Sequence, residues 1–253
     1  MSPFAAGLQA LLLLTVAVGD DPLSQRPDAW EFATTPERAL SMAFVEYEEG
    51  VSLLVACAGD ELSVQVLGLP AAAISSGRFE RRLGDGRTED SWWDRSSSRE
   101  SLISSAPARD ARSFRRDRDF VLRAEREDAP PVSIDLALPA QSGNLDRVLT
   151  ACGRTLESPM DAAPAVGRLL LATPGVQLPD AAHQRYDRFE VELDCLIADS
   201  RLSSCQSEHQ RPADSALGAA AARQANGVRV RVSDAAAAEG RWVRIVVRTG
   251  RGR

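Results

Sequence analysis

Residues Phe189 to Glu208 read FEVELDCLIADSRLSSCQSE. Phe189, Val191, Leu193, Cys195 and Ile197 alternate with polar residues, the period-two pattern of a strand with one buried face. Asp199-Ser200 is a turn signal, and Leu202 to Glu208 returns as a second strand. Cys195 and Cys205 are ten residues apart and centred on residue 200. In an antiparallel hairpin turning there, the two face each other. A non-hydrogen-bonded pair brings such Cα atoms to about 4.5 Å, so the spacing predicts a cross-strand disulfide.

Downstream of this hairpin, Pro212 opens an Ala-rich helix over 213–225 that Asn226-Gly227 ends. Val228 to Val232 alternates again, and Arg241 to Arg248, RWVRIVVR, is a terminal strand. The order strand, strand, helix, strand, strand describes an α+β unit on an antiparallel sheet. Upstream, residues 157–177 are rich in Pro, Ala and Gly and read as a linker, with a boundary near Leu156 and a further strand possible at Gly167 to Leu171. Residues 20–156 then form a β-rich α+β domain. Its expected strands are 41–48, 51–57, 61–67, 77–83, 120–124 and 132–138. Its expected helices are 100–113, with a break or second start at Pro107, and 143–151, closed by Gly153. The last segment, 178–253, is the second domain.

The chain has 253 residues and a formal net charge of −6, and 44% of it is hydrophobic. All 30 basic residues are Arg. With no Lys, a Schiff-base lysine, a phosphate-loop lysine or a lysine base is excluded. The two His, His183 and His209, cannot build a three-His metal site. The negative charge argues against bulk nucleic-acid binding. Residues 4–18, FAAGLQALLLLTVAV, are too short for a membrane span, which needs about 20 residues. With Ala17-Val18-Gly19 before Asp20-Asp21-Pro22, they read as a cleaved signal peptide, residues 1–19. The alternative is a retained membrane anchor. Export places the four Cys in an oxidising compartment. Once Cys195 and Cys205 are paired, Cys57 and Cys152 remain as the second disulfide. Free buried thiols or a zinc site are the alternatives, and the absence of any C-x-x-C disfavours zinc.

The last segment resembles the C-terminal domain of TonB-family energy transducers. The resemblance lies in Leu178-Pro179 with Ala182, Val191-Glu192-Leu193-Asp194-Cys195, Arg201-Leu202-Ser203-Ser204-Cys205, Ser207-Glu208, Gly218-Ala219-Ala220-Ala221, and Gly240-Arg241-Trp242-Val243-Arg244-Ile245-Val246-Val247. It covers about 75 residues of the 253. The pattern departs at Phe189 and Ser200, where the family has Gly, and over Val228 to Ala238, where it has a Pro-containing link. Residues 30–154, with Trp30, Cys57 and Val148-Leu149-Thr150-Ala151-Cys152-Gly153, are similar to an unnamed domain that precedes such modules in envelope proteins. The resemblance implies a periplasmic protein that binds an envelope partner. The terminal strand is the candidate binding edge, with Arg241, Val243, Ile245 and Val247, and it would accept an extended peptide by strand addition. Arg on that strand is equally the protection of an ordinary edge.

No nucleophile elbow, zinc-protease helix, phosphate loop or dinucleotide fingerprint occurs. No catalytic residue, cofactor or metal ligand is assigned. The acidic run Asp85, Glu89, Asp90 and Asp94 reads as a solvated loop, with cation binding as its sharper alternative. The Arg-rich run 109–126 reads as an exposed face laced with salt bridges. Trp92-Trp93 reads as an anchoring pair beneath a loop. The expected function is a non-enzymatic, exported binding protein. The alternatives are a membrane-anchored accessory of TonB-dependent transport and an envelope-modifying hydrolase using first-domain carboxylates.

Overall fold

A computed structural model describes residues 27–47, 50–69, 76–82, 84, 86, 88–96, 100–124, 131–178, 185–186, 188–212 and 214–248. Residues 1–19, expected as a signal peptide, together with Asp85, Pro179, Ala182, His183 and residues 249–253, lie outside the described residues.

Among the described residues the chain is mostly antiparallel sheet with four α-helices, a β-rich α+β fold. Nine strands form one sheet: β1 (Glu31–Thr35), β2 (Leu40–Glu46), β3 (Ser52–Ala58), β4 (Glu61–Leu67), β5 (Gly77–Arg82), β6 (Thr88–Arg95), β7 (Ser101–Ser104), β8 (Asp119–Ala124) and β9 (Val132–Ala137). Their order across the sheet is β1-β2-β3-β4-β7-β6-β5-β8-β9, antiparallel throughout. β2 to β4 form a meander, and Leu62, Val64 and Val66 of β4 alternate inward. The two ends of the sheet approach each other. Ala29 bridges Gln141, and the buried Tyr47 hydroxyl donates to the Ala137 carbonyl at 2.9 Å.

Two helices pack on this sheet, α1 (Pro107–Phe114) and α2 (Gly143–Ala151). Gly153 (φ 63°) closes α2: Arg154 N–H donates to Leu149 O and Gly153 N–H to Thr150 O, the paired bonds of a glycine-capped helix end. Cys57 on β3 and Cys152 at the end of α2 form a disulfide, with Cα atoms 5.5 Å apart. This ties the helix to the sheet it covers.

A three-stranded sheet follows, with order β12-β11-β14: β11 (Glu190–Ala198), β12 (Arg201–Arg211) and β14 (Trp242–Arg248). Its apolar face carries Val191, Leu193, Cys195, Ile197, Val243, Ile245 and Val247, and α3 (Ser215–Ala225) covers it. Asp214 caps α3 by accepting from Ala216 N–H at 2.8 Å. Short strands β10 (Leu170–Ala172) and β13 (Arg231–Val232) pair separately, and α4 (Ala235–Ala238) leads into β14. The third strand expected over 228–232 therefore does not join the three-stranded sheet. Its backbone instead flanks the hairpin, through Leu202 N–H to Val228 O and Val230 N–H to Ser200 O.

The Cys195–Cys205 disulfide forms, with Cα atoms 4.0 Å apart, by a different register from the one the spacing suggests. The turn holds two residues, Asp199 (φ 51°) and Ser200 (φ 56°), left-handed at both positions as a tight hairpin demands. That turn alone sets Leu196 against Ser203, which would leave Cys195 facing Ser204. A β-bulge corrects it. Ser204 (φ 50°) is the extra residue, and beyond it Asp194 pairs with Gln206.

Three further expectations change. β1 is a strand absent from the expected set. The helix expected over 100–113 is strand β7 in its first part, and the helix begins only at the second start expected at Pro107, which occupies the first turn of α1. The acidic run is not a loop. Glu89, Asp90 and Asp94 lie on β6, whose alternation turns Glu89 inward and Asp90 and Asp94 outward.

Candidate functional site

Helix α1 occupies the middle of the molecule. Its apolar side, Ala108, Ala111 and Phe114, joins the core of the nine-stranded sheet, where Phe114 stacks on Trp30 and meets Phe120 edge-on. Of its polar residues, Asp110 and Ser113 bind Arg81 of the nine-stranded sheet, while Arg109 lies over Trp242 and Arg112 reaches Glu208 of the three-stranded sheet, whose other face carries Glu192, Asp194, Trp242 and Arg244. All eight residues of α1 are buried. The Arg-rich run beginning at Arg109 is thus not an exposed face at its start: Arg112 is 2% exposed.

Burial of so many charges is tolerated only because each has partners. Arg81 pairs with Asp110, which also accepts from Ser104. Arg109 donates to Glu89 at 2.7 Å and lies 4.2 Å over the Trp242 ring. Arg112 donates Nε to both Asp161 oxygens at 3.0 Å and Nη2 to Glu208 at 3.2 Å. Burial pushes the Arg112 pKa down, but Glu208 and Asp161 outweigh it and the net shift is upward. For Arg109 burial wins over Glu89, and its pKa is lowered. Arg244 clasps Asp194 with two bonds, 2.8 and 3.0 Å, and donates to Ser105 O at 2.9 Å.

Glu208 reaches α1 because of a second bulge. Leu193 pairs with Ser207 and Glu192 with His209, so Glu208 is the extra residue between them. Bulges re-aim single side chains in this way. Glu208, 1% exposed, also accepts the Arg109 backbone N–H at 3.2 Å. The residue preceding α1, Ala106, supplies no side-chain cap, so Glu208 caps the helix from 99 residues away in sequence and sits at the positive end of its dipole. Burial, chiefly, raises the Glu208 carboxyl pKa, against the pull of Arg112. The sequence signal for this was only a Ser-Glu pair at the end of a strand.

The expected binding edge is a real edge: β14 pairs with β11 on one side, and among the described residues no strand lies on the other. Val243, Ile245 and Val247 pack their side chains into the core beneath α3. Arg241 donates to Ala237 O and Ala165 O. The outward backbone groups belong to the alternate residues. Trp242 N–H donates to Pro164 O, and Val166 N–H donates to Trp242 O. By the same alternation Arg244 and Val246 turn their backbone groups outward, and neither has a backbone partner on that side among the described residues. Val246 is 38% exposed.

The other candidates separate. Trp93 is fully buried against Phe120, whereas Trp92 is 59% exposed, because neighbours on a strand face opposite ways. The pair is not a joint anchor. Glu89 serves Arg109, Asp90 pairs with Arg78 on the outside, and the run does not converge. His209, on β12, has its pKa lowered by burial and by Arg211. Among the described residues no three His, Cys, Asp or Glu side chains gather as metal ligands, and no helix is long and apolar enough to cross a membrane. No family model, curated protein or solved structure matches the chain.

Proposed function

We propose that the chain is an exported, periplasmic, non-enzymatic binding protein of the bacterial envelope. Residues 178–253 act as a TonB-C-like module, and residues 20–156 form a separate β-rich domain. The module takes an extended segment of an envelope protein along the outer side of β14. The observation that carries the reading is the half-filled edge: Pro164 to Val166 already bonds to Trp242 in a parallel bridge, while Arg244 and Val246 keep the same backbone side unpaired among the described residues. The order β11, β12, α3, β14 and the covered apolar face support the resemblance. The division into two domains is supported by two separate apolar clusters, one ending at Leu156 and one beginning at Val166, and by one disulfide within each.

The test uses a photo-reactive amino acid at Arg248, exposed on the same strand, in the full-length protein with Val246 either kept or changed to Pro, cross-linked in living cells. Val246→Pro removes the outward N–H without removing a β11–β14 backbone hydrogen bond, a change that edge strands tolerate. A specific cross-linked envelope protein that Val246→Pro no longer captures is the expected result. The same capture by both forms, or none by either, would overturn the reading. The membrane-anchored alternative is separated by N-terminal sequencing of the mature protein, since a start at Asp20 removes the anchor.

A further inference from the structure

A second feature has no part in the strand-addition reading. A cleft of about 580 Å³ opens between the end of α2 and the surface made by β12 and α3. Its size suits a small ligand rather than solvent alone. Its floor is bare: Gly218, Ala219 and Ala222 of α3 present no side chain larger than methyl. The helix approaches β12 so closely at Gly218 that an added Cβ would lie 2.0 Å from Gln210 Oε1 and 2.7 Å from Ser207 Oγ.

The charges on its walls are of two kinds. Arg112 and Glu208 satisfy each other at 3.2 Å. Arg154 and Asp60 do not. Arg154 gives Nη1 to the Ser207 carbonyl at 2.7 Å, but its buried Nε has no partner among the described residues. Burial lowers the Arg154 pKa, with Glu208 opposing, so an anion brought to this guanidinium would be stabilised. Asp60, on the exposed turn between β3 and β4, carries no ion pair among the described residues, and its charge is felt at Arg154. One cleft therefore offers an unused donor, an unused carboxylate and a methyl-lined floor.

We propose that this cleft binds a small zwitterion of amino-acid or dipeptide size, its carboxylate on Arg154, its ammonium towards Asp60 and a small side chain against Ala219 and Ala222. The proposal is independent of strand addition at β14.

Calorimetry and thermal unfolding of the full-length protein with L-alanine and Ala-Ala, each up to about 10 mM, a range that still registers weak sites, test it. N-acetyl-Ala-Ala and Ala-Ala-amide each lack one charge. One of the two zwitterions is expected to bind, and the tighter sets the ligand length. Each blocked dipeptide is expected to bind at least about tenfold more weakly, the loss of a charge-assisted bond. Arg154→Gln is expected to erase the preference for a free carboxylate, and Asp60→Asn the preference for a free ammonium. Ala219→Trp, on an exposed helix position, fills the cleft without touching a buried charge and is expected to abolish binding. No heat or shift in melting temperature with either zwitterion overturns the proposal. So does equal binding by the blocked forms, or unchanged binding by Ala219→Trp.

Discussion

Removing the two disulfides one at a time separates their contributions by loop length. Cys57–Cys152 joins positions 95 residues apart, and Cys195–Cys205 joins positions 10 apart. Loop-closure entropy then gives about 4.7 kcal/mol for the long loop and about 2.7 kcal/mol for the short one at 25 °C. All four Cys are buried, so the packing loss on substitution by Ala is similar in both pairs and cancels in the comparison. Cys57→Ala/Cys152→Ala is therefore expected to lose about 2 kcal/mol more than Cys195→Ala/Cys205→Ala. Urea unfolding of the oxidised proteins, followed by tryptophan fluorescence and far-UV circular dichroism, measures both. Coincident transitions establish whether a single free energy applies. Equal losses, or a larger loss for the hairpin pair, would refute the loop-length argument. Mapping of non-reduced digests must return the same two pairs, and a Cys57–Cys195 linkage would refute the pairing itself.

Three other outcomes follow from individual contacts. Glu208→Ala strips Arg112 of one buried partner and α1 of its cap, and should cost about 3 kcal/mol, whereas Glu208→Gln keeps the shape and should cost less. Because the folded-state pKa of Glu208 is raised, its stabilising contribution is complete below the ordinary value of 4.5 and is lost as pH rises through the folded pKa. Urea titrations across pH should show Glu208→Gln gaining on wild type as pH rises, and a constant gap would count against the burial argument. Gly68 has φ 73°, and an added Cβ would lie 2.1 Å from the Gly50 carbonyl oxygen. Gly68→Ala should cost roughly 2–5 kcal/mol from left-handed strain and overpacking together, and a loss below about 1 kcal/mol would contradict that geometry. In NMR titration His209 should have a midpoint below 6.5, because burial and Arg211 disfavour its charged form. Its contribution to stability is present above the unfolded pKa and is lost as pH falls through the folded one.

Apolar alternation made β2 to β4, β11 and β14 legible in the sequence, since half of each strand faces a core. Helix α2 was legible from Leu145, Val148, Leu149 and Gly153, and α3 from its Ala run between Pro212 and Asn226-Gly227. β6 and the burial of α1 were not legible, for one shared reason. Their inward-facing residues include Glu89, Ser91, Arg109, Asp110 and Arg112, and a rule that places polar residues outside reads such segments as loops or solvated faces. These side chains are buried because partners distant in sequence neutralise them, Glu89 for Arg109 and Glu208 for Arg112.

By itself the sequence determined the α+β character, both cysteine pairs and the terminal strand, because hydrophobic period and cysteine position are local properties of the chain. Only the tertiary structure decided three things. The bulge at Ser204 brings Cys205, not Ser204, to Cys195. The bulge at Glu208 aims that carboxylate at α1. The alternation along β14 turns Val243, Ile245 and Val247 inward and leaves the outward backbone to Arg244 and Val246. Register and bulges depend on how whole strands meet. A shift of one residue reverses every side chain, and no local pattern of residues carries that information.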